Sequence, residues 1–218
     1  MITNVNLAAP IGALAFLGTA FVLFVTVVIV AHSLITGKKG RAKVALLAIV
    51  VFIAVYFGAM LIFSATSRDR LLARGQEKHF CELDCHLAYS LVNAVQEKTI
   101  GEGANQMRPQ GQFAILTIRT RFDETTIGPQ RGNGLLYPNG RAFVLIDDRG
   151  NRYLPVAQTG TPAATPLRPG ESYTTNIVFD LPVNARPSEL ILNESAWETH
   201  LLIGHENSLL HGQTKFQV

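Results

Sequence analysis

The sequence predicts a membrane-anchored all-β protein: a two-helix transmembrane hairpin at the N-terminus, then an antiparallel β-sandwich. Three observations carry this. Leu7 to Ala31 is a run of 25 residues without Asp, Glu, Lys or Arg, and Val44 to Thr66 is a second run of 23. Each exceeds the roughly 20 residues that a helix needs to cross the hydrocarbon core. After residue 85 the chain breaks into short β-compatible runs with turn residues between them.

The helices are expected at about residues 7–36 and 44–66, making residues 1–66 a hairpin. No positive charge precedes the first run, and the run is too long for the apolar stretch of a signal peptide, so both helices are expected to be retained. Between them, Gly37-Lys38-Lys39-Gly40-Arg41-Ala42-Lys43 holds four cations and no acid. The positive-inside rule puts such a loop in the cytoplasm and residues 67–218 outside, in the periplasm if the membrane is a bacterial inner membrane. Arg68, Arg70 and Arg74 pull the other way but are more dispersed.

The chain carries a net charge of +3 from 19 Lys+Arg and 16 Asp+Glu. Four of the cations sit in the loop and no acid precedes residue 67, so residues 67–218 hold 15 and 16, a net of −1. The outer part therefore has no basic excess for nucleic acid, and the expected partners are the lipid bilayer and other subunits of a membrane complex.

Residues 67–84 read as a stalk that carries the Cys-x-x-x-Cys run, its first part, 67–78, being a short helical stalk or linker. Beyond it, strands are expected from His86 to Val95, Gln112 to Phe122, Arg141 to Asp147, Arg152 to Val156 and Ser172 to Leu181. Ser188 to Leu192 and Trp197 to Ile203 are further apolar runs, and Thr214 to Val218 is a last strand or a frayed tail. The turn Asp147-Asp148-Arg149-Gly150-Asn151 makes a hairpin of the third and fourth strands. Thr159 to Gly170, rich in Gly, Pro and Thr, is a loop. Phe113, Ile115, Ile118 and Thr120 are expected to alternate with Arg119 and Arg121. Tyr173, Ile177 and Phe179 are expected in the core, and Trp197 in the core or at a sheet edge. Strands of this length and number are satisfied by two sheets packed face to face, over residues 85–218.

Phe143-Val144-Leu145-Ile146-Asp147-Asp148-Arg149-Gly150-Asn151-Arg152-Tyr153 forms a strand, an acidic turn, Gly, two residues and Tyr. Leu167-Arg168-Pro169-Gly170-Glu171 and Ile177-Val178-Phe179-Asp180-Leu181-Pro182 follow. Together these resemble the extracytoplasmic immunoglobulin-like sandwiches of the DUF4352 type, over roughly residues 85–195. That resemblance implies an immunoglobulin-like fold and no catalytic residues. In architecture the chain is also similar to subunit II of haem-copper oxidases, which has a two-helix hairpin, a β-sandwich and a Cys-x-x-x-Cys copper pair. Here Cys81-Glu82-Leu83-Asp84-Cys85 has that spacing but precedes the sandwich. Tyr89 stands where a His would follow, and no Met lies nearby except Met107. The similarity implies only that such a pair on a tethered sandwich can bind copper.

The cysteines are the only two in the chain and are flanked by His79 and His86. Thiolate and imidazole suit copper and zinc. His211, with His200 and His205 also in the C-terminal segment, is the expected remote ligand. The metal set is thus Cys81, Cys85, His79, His86 and His211, with copper as the cofactor in a copper-handling or electron-transfer accessory protein. The rival is a Cys81–Cys85 disulfide in a non-catalytic interaction module or accessory subunit, a bond that an extracytoplasmic compartment permits; inert thiols are a third state. Asp147, Asp148 and Asn151 fit a calcium ion or simply a hairpin turn. Asp123 and Glu124 are paired carboxylates in what reads as a solvated turn, and His32 is an interfacial residue. No complete catalytic constellation is present. A thiol oxidoreductase would need the Cys-x-x-Cys pair that is absent.

Overall fold

The computed structural model describes residues 8–80, 86–101, 106–126 and 130–218. The chain divides into two compact units. One is a β-sandwich built from Asp69–Ala196 and Gln213–Val218. The other groups the helical hairpin with Trp197–Gly212.

In the helical unit, α1 (Ala8–Ile35) and α2 (Lys39–Thr66) are both long and apolar enough to cross a membrane. Only three residues separate them, because Gly37 closes α1 with a left-handed φ of 71°. Its N–H donates to Leu34 O at 3.1 Å, and Lys38 N–H donates to Ser33 O at 2.8 Å. This paired pattern caps a helix and needs glycine at the left-handed position. The basic stretch read as a loop from Gly37 to Lys43 is therefore mostly the first turn of α2. Leu14, Phe21, Phe24, Leu47 and Ile62 are exposed, so the hairpin carries an apolar surface that the described residues leave uncovered.

The sandwich has strands β1 (Arg70–Leu72), β2 (Lys78–Phe80), β3 (Leu87–Glu97), β4 (Gln112–Phe122), β5 (Arg141–Asp147), β6 (Arg152–Tyr153), β7 (Pro155–Gly160), β8 (Ser172–Leu181), β9 (Pro187–Glu194) and β10 (Thr214–Gln217). One sheet has the order β1-β10-β9-β5-β6 and the other β2-β3-β4-β8-β7. All pairs are antiparallel except β1, which lies parallel to β10. The core between the sheets is filled by Tyr89, Phe122, Leu145, Phe179, Leu190 and Phe216 among others, none measurably exposed.

Alternation decides which face each residue takes. On β4 the inward set is Ala114, Leu116, Ile118 and Phe122, so the parity holds along the whole strand. The irregularity lies in its partner, where β3 carries a bulge between Leu91 and Asn93. Phe113, expected inside with Ile118, is buried but lies on the opposite face from it.

Four expectations are corrected. Residues 67–78 are not a helical stalk: β1 lies within them and β2 begins at their end, because Arg70–Leu72 pairs with Thr214–Phe216 and Lys78–Phe80 with Leu87–Tyr89. The sandwich is not continuous over residues 85–218, since Trp197–Gly212 groups with the helices. Trp197 is 66% exposed rather than in the core, and Trp197–Leu201 is a 3-10 helix rather than a strand. The run from Arg152 to Val156 is split: β6 pairs with β5, and β7 continues to Gly160 in the other sheet, beside β8. Thr214–Gln217 is an ordered strand, fixed by the buried Phe216.

Candidate functional site: the foot of the cysteine hairpin

β2 and β3 form a hairpin whose last register pair is Phe80–Leu87. Cys81 and Cys85 belong to the connection and lie outside the described residues. Its two feet are well defined. On β2, Lys78 and Phe80 point into the sandwich, and His79 points to the opposite face.

Lys78 is 3% exposed. Its ammonium donates to Leu192 O at 2.7 Å, Thr214 O at 3.0 Å and Asn193 Oδ1 at 3.1 Å. All three acceptors belong to the other sheet's side of the sandwich. A buried ammonium is tolerated when its donors are satisfied in this way.

On the other face the register brings distant residues together. His79 pairs with Ala88, and Ala88 with Arg121. Arg121 grips Glu77 with two parallel hydrogen bonds, Nε to Oε1 at 2.8 Å and Nη2 to Oε2 at 2.7 Å. Its Nη1 lies 3.4 Å from Asp123 Oδ1. Such a fork-on-carboxylate contact is both strong and directional. The hydrogen bond from Arg121 holds the Glu77 carboxyl below the usual carboxylate range.

Asp123 is the hub. Its Oδ1 accepts from Thr125 N at 3.1 Å and from Thr125 Oγ1 at 2.7 Å, and its Oδ2 faces His79 Nε2 at 3.1 Å. Burial pushes its carboxyl up. The bonds from Thr125 and His79, with the charge of Arg121, outweigh that and bring it down to about 2. Asp123 is therefore a buried anion, not half of a solvated acidic turn. Glu124, its neighbour, opens the one-turn helix Glu124–Thr126.

The same segment meets the second foot. Asp123 N–H donates to His86 O at 2.7 Å. The His86 ring stacks on Phe122 with centroids 5.2 Å apart, and its Nδ1 contacts Thr126 Oγ1. Both flanking histidines are thus fixed by Asp123–Thr126. His211 belongs to the helical unit, where its Nδ1 lies 2.7 Å from Gly212 O. His200 and His205 are in that unit too.

His79 is the informative ring. It is 5% exposed. Facing a carboxylate, Nε2 carries the proton, so in the neutral ring Nδ1 keeps its lone pair. That Nδ1 is buried and has no hydrogen-bond partner among the described residues. A carboxylate on one ring nitrogen with the other left open is the arrangement that orients metal-binding histidines. Among the described residues, no three His, Cys, Asp or Glu side chains converge as a metal site.

The other acidic candidate is a turn. Asp147 accepts from Arg149 N, Asn151 N, Asn151 Nδ2 and Tyr153 Oη at 2.8–2.9 Å. Burial raises its carboxyl, and these bonds overcome that and bring it down to about 2. The four donors account for its placement without a calcium ion. A cleft of about 440 Å³ opens between β5 and β7, with Arg141 as the only titratable side chain in its lining.

No family model and no curated protein matches the chain. Two solved structures are similar to it. One is MPT63, a secreted protein from Mycobacterium tuberculosis, with 14% identity and a TM-score of 0.46 over 70% of this chain and 100% of that one. The other is an uncharacterized β-sandwich protein from Clostridium difficile 630, with 9% identity and a TM-score of 0.41 over 70% of this chain and 95% of that one. Neither likeness carries anything about function.

Sequence reasoning singled out the cysteines and flanking histidines as candidates but missed Asp123 as the partner of His79. A signal was available. Glu77 and His79, and Arg121 and Asp123, are each spaced by two, the spacing that turns side chains the same way along extended chain.

Proposed function

We propose that this chain is a membrane-anchored, extracytoplasmic copper-binding accessory protein, acting in copper handling or electron transfer. Cys81 and Cys85 supply thiolates, and His79 supplies Nδ1. His86 is a further candidate ligand. The observation that supports this reading is the buried, carboxylate-oriented His79 ring, whose open Nδ1 lies two residues before Cys81. Soft sulfur with imidazole selects copper or zinc. In this reading the hairpin spans a bacterial cytoplasmic membrane and the sandwich, of the immunoglobulin-like type that its motifs resemble, lies in the periplasm.

The test is copper titration of the reduced full chain in detergent. Thiolate-to-copper absorption, or retention of copper(I) against a chromophoric chelator, is expected. His79→Gln is expected to weaken binding about 10–100-fold, as loss of a ligand or its orienting partner does. A reduced protein that neither absorbs nor retains copper refutes the reading.

A second reading is favoured by the helices. Cβ atoms added at Gly18 or Gly58 would meet nothing within 4 Å. These positions leave close approach open to another transmembrane helix. Under it, the chain is a non-catalytic accessory subunit and Cys81–Cys85 is a structural disulfide. Intact mass before and after alkylation separates the two thiol states, and extraction in mild detergent shows whether a membrane partner copurifies.

A further inference from the structure

We infer that Trp197–Gly212 is a re-entrant segment embedded in the outer leaflet, an interfacial anchor that the chain carries in addition to its two helices. The inference rests on the reading of the hairpin as transmembrane.

The segment is stitched to the helices at three levels. A Cβ at Gly12 would lie 2.1 Å from Ile203 O, so α1 and the segment touch backbone to backbone. Tyr56 Oη donates to Leu201 O at 2.6 Å. Gly212 N–H donates to Ser67 Oγ at 2.6 Å, and a Cβ at Gly212 would lie 2.4 Å from the Arg68 carbonyl carbon.

Depth follows from helix geometry. Lys39, Arg41 and Lys43 fill the first turn of α2, so the hydrocarbon begins near Val44. About 30 Å at 1.5 Å per residue is about 20 residues, which ends near Phe63, just before Ser64, Thr66 and Ser67. Tyr56 is seven residues below that end, or about 10 Å into the leaflet. Leu201, bonded to Tyr56, is at the same level. Trp197 opens the same 3-10 helix as Leu201, and at about 2 Å per residue it lies within about 8 Å of it.

Irregular backbone at this depth must satisfy its own polar groups. This segment does so by tight turns repeated every three residues: Leu202 N–H to Thr199 O, His205 to Leu202, Ser208 to His205 and His211 to Ser208, at 2.9–3.3 Å. Its polar side chains turn inward. Thr199, His205 and Ser208 are buried, Asn207 Nδ2 donates to Thr199 Oγ1 at 2.7 Å, and Ser208 Oγ donates to Leu202 O. Three of its large apolar side chains turn outward: Trp197, Leu209 and Leu210 are 66%, 62% and 76% exposed, while Leu201, Leu202 and Ile203 are half-buried. Glu198 and His200 are also exposed, as suits an element at the headgroup boundary and not at the bilayer centre. Buried Thr199, His205 and Ser208 beneath exposed Trp197, Leu209 and Leu210 are unfavourable in water and suited to lipid. Tryptophan is also the residue that favours this boundary.

Trp197 is the chain's only tryptophan, so its fluorescence reports the segment without labelling. The full chain is reconstituted in phosphatidylcholine–phosphatidylglycerol vesicles and floated on a density gradient. In the floated fraction, Trp197 is expected to emit to the blue of a hydrated indole. It is expected to lose about half its intensity to dibrominated phosphatidylcholine, as a side chain 5–10 Å into the boundary does, and little to iodide. Gly12→Leu, which pushes Ile203 away, and independently Tyr56→Phe, are expected to raise iodide quenching while helix content by circular dichroism stays constant. A chain that floats but whose Trp197 is quenched by iodide and not by bromolipid overturns the inference and leaves the membrane reading standing. A chain that does not float overturns both.

Discussion

Lys78→Met tests how the cysteine hairpin is held to the sandwich. The substitution keeps a long unbranched side chain and removes the ammonium. In general, replacing a buried charge by an apolar isostere is often neutral, because the desolvation cost disappears with it. That outcome requires the partners to be replaced as well. Here two of the three acceptors are the main-chain carbonyls of Leu192 and Thr214, and the third is the Asn193 amide. All three remain and stay buried. Each charge-assisted bond is worth roughly 1.5–3 kcal/mol, and an acceptor stranded in the core costs about 1–3 kcal/mol. The ammonium's own desolvation, several kcal/mol, is recovered. The balance is a loss of about 2–4 kcal/mol, which lowers the midpoint by about 5–15 °C for a chain of this size. The assay is calorimetry of the full chain in detergent, with near-ultraviolet circular dichroism to follow the sandwich. Lys215→Met is the control. That ammonium bridges Asp69 at 2.9 Å and Glu189 at 3.0 Å but is 19% exposed, so about 0.2–1 kcal/mol is expected from it. A Lys78→Met protein that melts with the wild type, or above it, refutes the claim that the three bonds anchor β2.

Acid is expected to loosen the sandwich between about pH 4 and pH 2. Asp123 and Asp147 both titrate near 2 when folded, below the roughly 3.9 of an unfolded Asp, so the unfolded chain takes up protons first as pH falls and stability drops in that window; a midpoint that is flat from pH 5 to pH 2 contradicts this. Asp123→Asn is expected to weaken copper binding about 10–100-fold by releasing His79, and unchanged affinity with lowered stability would make Asp123 a purely structural group. Cys81→Ser with Cys85→Ser is expected to abolish copper binding while lowering stability by no more than the ~2 kcal/mol of a short disulfide loop; a larger loss by calorimetry favours the structural bond.

Much of the fold was legible because local pattern and burial agree. Gln112–Phe122, Arg141–Asp147 and Ser172–Leu181 are the strands expected, each bounded by turn residues and buried on at least one face. The short strands β1 and β2 were not legible. Three residues such as Arg70-Leu71-Leu72 carry no period, and only the pairing with β10, more than 140 residues away in the chain, makes them a strand. Trp197–Gly212 was not legible for a related reason: Trp197–Ile203 reads as one more apolar run of the sandwich, whereas the segment groups with the helices. At the site, the cysteines and histidines were visible as a cluster. The Asp123 partner was not, because it depends on the β2–β3–β4 register.

The anchoring bears on what the cysteines do. A disulfide stabilises a protein by restricting the unfolded chain, and a short loop gains least. The connection that holds Cys81 and Cys85 already has both ends fixed. Lys78 and Phe80 secure one foot from inside the sandwich, and the Asp123–Thr126 segment secures the other through His86. A staple across so short and so firmly rooted a connection adds little stability. Rigidity at both feet is, however, what a metal site needs, because ligands held by packing and by outer hydrogen bonds lose less freedom on binding. His79 shows the same economy: Asp123 fixes one nitrogen, and the other has no hydrogen-bond partner among the described residues, in a place where an unpaired polar atom is costly. That cost is removed if a ligand completes the site. The burial of His79 therefore argues for chemistry at the hairpin rather than for a staple.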